Sequence, residues 1–213
     1  MRSRFHLLAR AVLIQYPALW WAGTRGRAPL HACAFAGAGG GPLLTAASGV
    51  GRSTLVAREL AAGASCTGDN LAVGDGIRVW GLVEPLRVEG ASGRRMPHGR
   101  QEAPLRNRDP MAEPDCVVVL ERRDGEAPSL APCSPAQAAR SLVTSTYMAG
   151  ELRRFWGLAA TLAAGTGRGP AHPEVAEVAD AFAHRLPCLV LTPGAWPGAR
   201  LSDLLNTTAE VAA

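Results

Sequence analysis

The sequence predicts an α/β domain in which helices flank a mixed β-sheet. The chain has 213 residues, 47% of them hydrophobic, with a mean hydropathy of +0.05, which suits one folded core and is short for two. Apolar, strand-like runs stand before, between and after segments of helical spacing. Hairpin signals interrupt this alternation and favour a mixed sheet over an all-parallel one. We therefore treat residues 1–213 as a single domain.

The N-terminal segment, residues 1–23, predicts an amphipathic helix that packs on the domain. Its apolar positions recur at helical spacing: Phe5, Leu8, Val12 and Tyr16. Arg10 and Gln15 interrupt the apolar run, so the segment is too polar for a span of about 20 apolar residues and differs from a signal peptide. We expect no contact with a membrane.

The next stretch predicts hairpins on both sides of one helix. "APLHACAFA" and "PLLTA" are strand-like and are joined by the glycine turn Gly37–Gly41. "STLVARELAA" has helical spacing and stops at Gly63. "ASCTGDN" predicts a short strand that leads to Asp69, and Asp75-Gly76 marks a further hairpin.

Residues 90–114 predict a mobile loop, because they are rich in Gly, Pro and Arg and poor in apolar residues. The arginines of this segment are Arg94, Arg95, Arg100, Arg106 and Arg108. The loop is either a solvated insertion or a lid that grips an acidic peptide or the phosphates once the acceptor arrives.

The C-terminal part predicts a buried strand, "DCVVVLERR", followed by three helices. Ser134 can cap the first helix, with Pro135 in its first turn and Gln137 completing a capping box. "ELRRFWGLAATLAAG" and "PEVAEVADAFAHR" are the other two helices. The strand "LPCLVLT" and a closing helix, "ARLSDLLNTTAEV", complete the chain.

The charges and cysteines restrict the function. The chain has no lysine: all 22 Lys and Arg positions are arginine, and the net charge is +4. Because the arginines form no dense run, we expect no nucleic-acid partner. The same charge fits an anionic small molecule such as a nucleotide. The five cysteines are widely spaced and predict no zinc site. Free cysteines fit a reducing compartment and predict a cytoplasmic protein.

The segment "AASGVGRST" predicts a phosphate-binding loop between a buried strand and a helix. Its glycines let consecutive N–H groups converge on phosphate oxygens, and Ser53 stands where a hydroxyl reaches magnesium. Two residues depart from the usual pattern: Ala46 replaces glycine, and Arg52 replaces lysine while keeping a charge that can grip phosphate in a fork. The alternative is a glycine-rich turn without a ligand.

Two more residues point to phosphoryl transfer. Asp69 follows the strand after the helix and can accept a hydroxyl proton or hold magnesium, although an acid in a turn is the alternative. His31 lies on the strand before the loop strand, and an antiparallel pairing would bring it to the loop. The alternative for His31 is a core histidine. Glu84 and Arg87 follow the second hairpin, either near a substrate or, as we expect, as a surface ion pair.

These residues together resemble the HPr kinase/phosphorylase family. The matching stretches are Leu30-His31-Ala32, Thr45–Ser53 and Gly63–Asn70, similar to that family's "LHG", "TGDSGVGKS" and "RGHRLVADD". The likeness to its short, single-domain members covers most of the chain and is specific over Leu30–Asn70. It implies a P-loop kinase-like fold.

The resemblance implies a role for each matching residue, with ATP and Mg²⁺ as cofactors. Asp69 would be the catalytic carboxylate, His31 would lie near the transferred phosphate, and Arg52 would stabilise charge. Ser53 and Asp69 would hold the metal. The ATP-binding residues would be Ser48, Gly49, Val50, Gly51, Arg52, Ser53 and Thr54. The departures from the family pattern are Ala46, Ala47, Arg52 and Asn70, the last replacing a second aspartate.

The resemblance predicts an ATP-dependent kinase that phosphorylates a serine or other hydroxyl acceptor on a peptide or small protein, in a biosynthetic or regulatory pathway. The departures keep a second function open, that of a catalytically weakened nucleotide-binding accessory protein acting with a partner enzyme. A homo-oligomer is possible under either function, because some relatives form rings. A domain with no ligand would require three coincidences in sequence order.

Overall fold

The computed structural model describes residues 2–36, 41–96, 99–122, 127–194 and 200–205. Its strands are β1 (Ala28–Leu30), β2 (Ala32–Ala36), β3 (Pro42–Ala46), β4 (Ser65–Cys66), β5 (Ala72–Gly74), β6 (Val79–Gly81), β7 (Leu86–Val88), β8 (Gln101–Ala103), β9 (Met111–Ala112), β10 (Cys116–Leu120), β11 (Ser129–Pro132) and β12 (Cys188–Thr192). Its helices are α1 (Arg2–Arg10), α2 (Tyr16–Gly23), α3 (Arg52–Ala61), α4 (Pro135–Met148), α5 (Gly150–Thr166) and α6 (Val175–Arg185). A π-helical turn, Ala11–Gln15, joins α1 to α2, and residues 201–205 are helical.

A six-stranded mixed sheet forms the centre, in the order β11-β12-β10-β3-β2-β4. β3, β10 and β12 run parallel, whereas β2, β4 and β11 pair antiparallel to their neighbours. The α/β class with a mixed sheet is therefore as predicted. Because Ala46 pairs with Leu120, the ends of β3 and β10 lie together, and the segment after β3 leaves from this edge of the sheet.

Helices cover both faces of the central sheet, which explains its continuous apolar strands. Leu43 and Val117 face one core, where α4 contributes Leu142 and α6 contributes Phe182. The next strand residues, such as Leu44, face the other core, where α3 contributes Val56. Fully burying one such side chain stabilises the fold by roughly 1.5–3 kcal/mol.

The chain passes between two sheets at His31. A second, antiparallel sheet has the order β1-β5-β6-β9, and Asp75-Gly76 joins β5 to β6 as predicted. His31 is the single residue between β1 in this sheet and β2 in the central sheet. The predicted hairpin of β2 with β3 is present, although residues 37–40 of its glycine turn lie outside the described part of the chain.

The N-terminal helical segment packs through its second half. Tyr16 and Leu19 join an apolar cluster with Phe155 of α5. Phe5 is 74% exposed, and Leu8 and Val12 are also exposed, so the prediction that they pack on the domain is wrong. The apolar cluster that contacts this segment includes Ala11 and residues after it. Phe5 and Leu8, in the first turns, therefore have no apolar surface to pack against. Among the described residues, no helix combines the length and apolar character that crossing a membrane requires.

Residues 90–114 have more structure than the sequence predicts. They contain β8, which pairs with β7 as a two-stranded ribbon, and β9, which pairs with β6. Met96 is buried, and Arg108 donates through Nε to the carbonyl of Thr67. The expectation of a segment without structure of its own is therefore wrong, because backbone pairing replaces the missing apolar side chains. Its movement in solution stays a prediction.

Helix ends follow the sequence closely. Ser134 Oγ accepts from the amide of Gln137 at 3.2 Å, as predicted for the cap of α4. The Gln137 side chain donates to Glu121 instead of completing the capping box. α3 ends just before Gly63, which has φ +97°. Of the predicted closing helix, residues 201–205 are helical and residues 206–213 lie outside the described part.

Candidate functional site

The predicted phosphate loop connects β3 to α3. β3 ends at Ala46, and α3 begins at Arg52 with Gly51 at the preceding position. Gly49 and Gly51 have φ values of +90° and +109°, a region that residues with a Cβ rarely adopt. Ala46 lies inside the strand and pairs with Leu120, so it needs none of the freedom of the glycine that the usual loop pattern has there.

The loop presents backbone amides that have no protein partner. In the described structure, no hydrogen bond engages the amides of Ser48, Gly49, Gly51, Arg52 and Ser53. No side chain caps α3, so the positive end of the helix points out of the loop. Unpaired amides at a helix N-terminus form an anion-binding geometry.

A cavity of about 430 Å³ opens in front of these amides. The loop contributes Ala47, Ser48, Gly49, Gly51, Arg52, Ser53 and Thr54 to its lining. The other lining residues are His31, Asn70, Arg87, Glu89, Arg100 and Glu151. The volume is within the range of small-molecule sites, roughly 300–1,000 Å³. Val50, predicted to bind ATP, instead packs against the apolar core beside α3.

Arg52 is buried and turned towards the sheet. Its Nη1 donates to the carbonyl of His31 at 2.7 Å. Its Nη2 lies 2.8 Å from Nε2 of the His31 ring and donates to Asn70 Oδ1 at 3.0 Å. Its Nε has no partner among the described residues. All three partner groups are neutral, so Arg52 is a buried cation without a carboxylate in hydrogen-bond contact.

His31 is held as a neutral ring. Burial, and then the Arg52 guanidinium, lower the pKa of His31 to about 3. Because Arg52 Nη2 donates to the closer ring atom, Nε2, the proton of the neutral ring belongs on Nδ1. His31 therefore acts as a hydrogen-bond acceptor for Arg52 at neutral pH, and not as a charged group.

Asp69 is fully buried beside the loop and does not line the cavity. Burial raises the pKa of its carboxyl, whereas Arg52 and a hydrogen bond with Ser53 oppose that rise. Asp69 Oδ2 accepts from Asn70 Nδ2 at 3.1 Å, while Oδ1 has no geometrically well-formed partner among the described residues. A buried carboxylate oxygen without a well-formed hydrogen bond is costly, which makes Asp69 a candidate for binding a cation or a proton.

Glu84 and Arg87 form the predicted ion pair, but it lies in the interior beside the cavity and not on the surface. Glu84 is buried, and its Oε1 accepts from the amides of Asn70 and Leu71, each at 2.7 Å. Burial raises the pKa of Glu84 to about 7, against the opposing effect of Arg87. Glu84 thus fixes the backbone that carries Asp69 and Asn70.

Arg87 is held between two carboxylates. Its Nη2 lies 3.8 Å from Glu84 Oε2, and its Nη1 donates to Glu151. Burial raises the pKa of Glu151, but the Arg87 guanidinium and other contacts outweigh burial, so that pKa is lowered. This pair forms the wall of the cavity that faces the loop.

The fold brings the predicted residues together. Because β2 pairs antiparallel with β3, His31 lies beside the end of β3, and the turn after β4 brings Asp69 and Asn70 to the same edge. Sequence reasoning missed Glu89 and Glu151 as parts of the site, because they come from the turn after β7 and from α5 and no motif marks them. Arg100 also lines the cavity, and the sequence had indicated it only as one of five arginines in a possible lid.

In comparisons with models of protein families and with curated proteins, nothing matches this chain. The likeness to HPr kinases therefore stays a resemblance carried by the residues of Leu30–Asn70.

Proposed function

We propose that this chain is an ATP-dependent kinase, similar to HPr kinase, that transfers a phosphate to a serine or other hydroxyl on a peptide or small protein. The observation that carries the proposal is the pairing of unengaged loop amides with a buried cation, Arg52, whose hydrogen-bond partners are all neutral. Both features favour an anionic ligand in the cavity.

The residues around the loop fit a magnesium ion. Ser53 supplies a hydroxyl, and Asp69 supplies a buried carboxylate oxygen without a well-formed hydrogen bond. Mg²⁺ prefers such oxygen ligands and binds through one or two carboxylates together with phosphates. When bound, it would neutralise phosphate charge. The fit rests on the donor chemistry of these two side chains.

The chain's own residues divide the work of the proposed reaction. The loop amides bind phosphate oxygens and stabilise charge that develops on them. Asp69 either holds the metal or accepts the hydroxyl proton of the acceptor, and Glu84 holds the backbone from which Asp69 projects. His31 and Asn70 hold Arg52 in place beside the loop, and the positive charge of Arg52 favours binding of an anion there.

A nucleotide-binding accessory protein without turnover is the second candidate. Two observations favour it: Asp69 does not line the cavity, and the terminal nitrogens of Arg52 are already engaged. Such a protein would bind ATP and deliver its effect through a partner enzyme. Turnover of ATP in the presence of magnesium, with mass spectrometry of candidate serine peptides, separates the two functions.

The loop itself is tested by two glycine substitutions. Gly51 and Gly63 flank α3, both have positive φ, and neither has an atom within 4 Å of an added Cβ. Gly51→Ala and Gly63→Ala should each cost about 1–2 kcal/mol of stability through backbone strain. Only Gly51→Ala should also weaken ATP binding, by about tenfold, because it reorients loop amides. Equal ATP affinity in both variants, measured by calorimetry, would contradict a nucleotide site at this loop.

We place the protein in the cytoplasm in this proposal, because all five cysteines are free thiols. A nucleotide and a peptide or small-protein acceptor are its proposed partners. Neither nucleic acid nor membrane has a role in the proposal, and a homo-oligomer stays a prediction.

A further inference from the structure

We propose that Arg100, from the ribbon of β7 and β8, is the side chain that binds the terminal phosphate of the nucleotide, in place of the loop residue Arg52. The inference rests on the proposed function. In the usual loop pattern a lysine of the loop supplies the cationic contact to the phosphate. Here we assign that contact to a residue from a different part of the chain.

Arg52 has no free fork for a phosphate. A guanidinium presents two planar forks, Nη1 with Nη2 and Nε with Nη2, and Nη2 belongs to both. Both hydrogens of Arg52 Nη2 are engaged, by His31 Nε2 and by Asn70 Oδ1, and Nη1 donates to the His31 carbonyl. Arg52 can therefore attract an anion through its charge, but its bidentate contacts are already used by the protein.

Arg87 is engaged in a different way. Glu84 and Glu151 lie on either side of it, and its charge is compensated by the two carboxylates. A phosphate would have to compete with Glu151 for the same guanidinium. Arg87 therefore fits a wall of the cavity better than a phosphate contact.

Arg100 is the third arginine that lines the cavity. It is half-buried, and among the residues that the structure describes its side chain has neither a hydrogen bond nor an ion pair. Glu89, the one acidic residue of the ribbon that also lines the cavity, is exposed. Arg100 thus has all its donors available for a ligand.

The ribbon fixes Arg100 relative to the loop. Leu86 of β7 and Ala103 of β8 pack into the apolar core that also contains Leu55 and Val56 of α3. Because α3 begins at the phosphate loop, the same core supports both the loop amides and the strand that follows Arg100. The cavity therefore has amides on one side and an available guanidinium on the other.

Binding of ATP and of AMP to the full chain tests this assignment, with calorimetry as the readout. Arg100→Gln should weaken ATP binding by about tenfold and leave AMP binding unchanged, because AMP lacks the terminal phosphate. Arg94→Gln is the matched control, since Arg94 is exposed, belongs to the same segment and does not line the cavity. It should bind both nucleotides like the wild type.

A rescue variant makes the test independent of folding. In the background of Arg100→Gln, Arg52→Lys should recover part of the ATP affinity, because a lysine at this position leaves the contacts to His31 and Asn70 and can reach the phosphate. Wild-type ATP affinity in Arg100→Gln, or an equal loss for ATP and AMP, would overturn the assignment and leave the proposed function standing. A wild-type chain that binds neither nucleotide would overturn both.

Discussion

Two arginines, the buried Arg52 and the partly buried Arg87, line one cavity, and their surroundings are opposite. Arg87 is held by the carboxylates of Glu84 and Glu151. Arg52 is held by a carbonyl, a neutral imidazole and an amide oxygen. Each guanidinium is thus kept in place by acceptor groups from other parts of the chain.

The difference lies in the charge that remains. Two carboxylates neutralise Arg87, so it contributes structure and little attraction for an anion. Neutral acceptors orient Arg52 and leave its positive charge in the site, where a low dielectric makes it strong. A buried cation paired in this way is costly for the free protein and is offset when an anion binds. In this comparison, the neutral Asn70 is the residue that accepts from Arg52 without cancelling its charge.

The largest effect is expected at Asp69, the carboxylate that neither arginine contacts directly. Asp69→Asn should keep ATP binding, or strengthen it by removing repulsion, and should lower phosphate transfer by about a hundredfold or more. Transfer is measured by mass spectrometry of an acceptor peptide, with Asp180→Asn on the exposed face of α6 as control. Transfer that persists in Asp69→Asn would exclude this residue from the reaction.

A smaller effect is expected when Arg52 is made to resemble Arg87. Asn70→Asp places a carboxylate 3.0 Å from Arg52 Nη2, in the position of the present amide oxygen. The added charge should neutralise Arg52 and weaken binding of magnesium-free ATP by about tenfold. Glu151→Gln, which removes a carboxylate from Arg87 instead, should change affinity in the opposite direction. Calorimetry without magnesium measures both, and equal responses would refute the distinction between the two arginines.

A further effect, on stability and not on binding or transfer, is a change in the pH dependence of stability. The pKa of Glu84 is raised from 4.5 to about 7, so its contribution to stability is complete below pH 4.5 and is lost as the pH rises through 7. His31 acts in the opposite sense: its pKa falls from 6.5 to about 3, so its contribution is complete above pH 6.5 and is lost as the pH falls towards 3. Between pH 4.5 and 6.5 the two residues oppose each other.

Glu84→Gln removes one of these opposing contributions. Relative to the wild type, the variant should gain roughly 3 kcal/mol between pH 4.5 and pH 7, and its stability should rise more steeply with pH. Melting temperatures across this range provide the measurement, with Glu177→Gln on the exposed face of α6 as control. A difference between variant and wild type that is the same at every pH would show that folding does not raise the pKa of Glu84.

The sequence predicts the strands and helices well where their signals are local. The strand before Ala46, the left-handed glycines of the loop and the cap at Ser134 all follow from residue type and spacing. The exposed Phe5 was mispredicted because a helical period shows which residues share a face but not where the partner surface ends. The ribbon was missed because backbone pairing needs no apolar pattern.

The site was predictable only where its residues carry a local sequence signal. His31, Arg52 and Asp69 carry motif signals and meet at one edge of the sheet, as expected. Glu151 has no such signal, because it reaches the cavity from an element distant in sequence, and Arg100 was indicated only as one of several arginines in a possible lid. The direction in which Arg52 points was also unpredictable, since it depends on the acceptors that folding brings beneath it.

One contact far from the cavity ties the helix after the phosphate loop to a distant part of the chain. Glu59, near the end of α3, is buried and accepts through Oε1 from the amide of Leu201, 142 positions later in the chain. Contacts of such long range form slowly, because a long stretch of chain must first be closed into a loop. The packing of α3 is therefore completed by a contact that we expect to form late in folding.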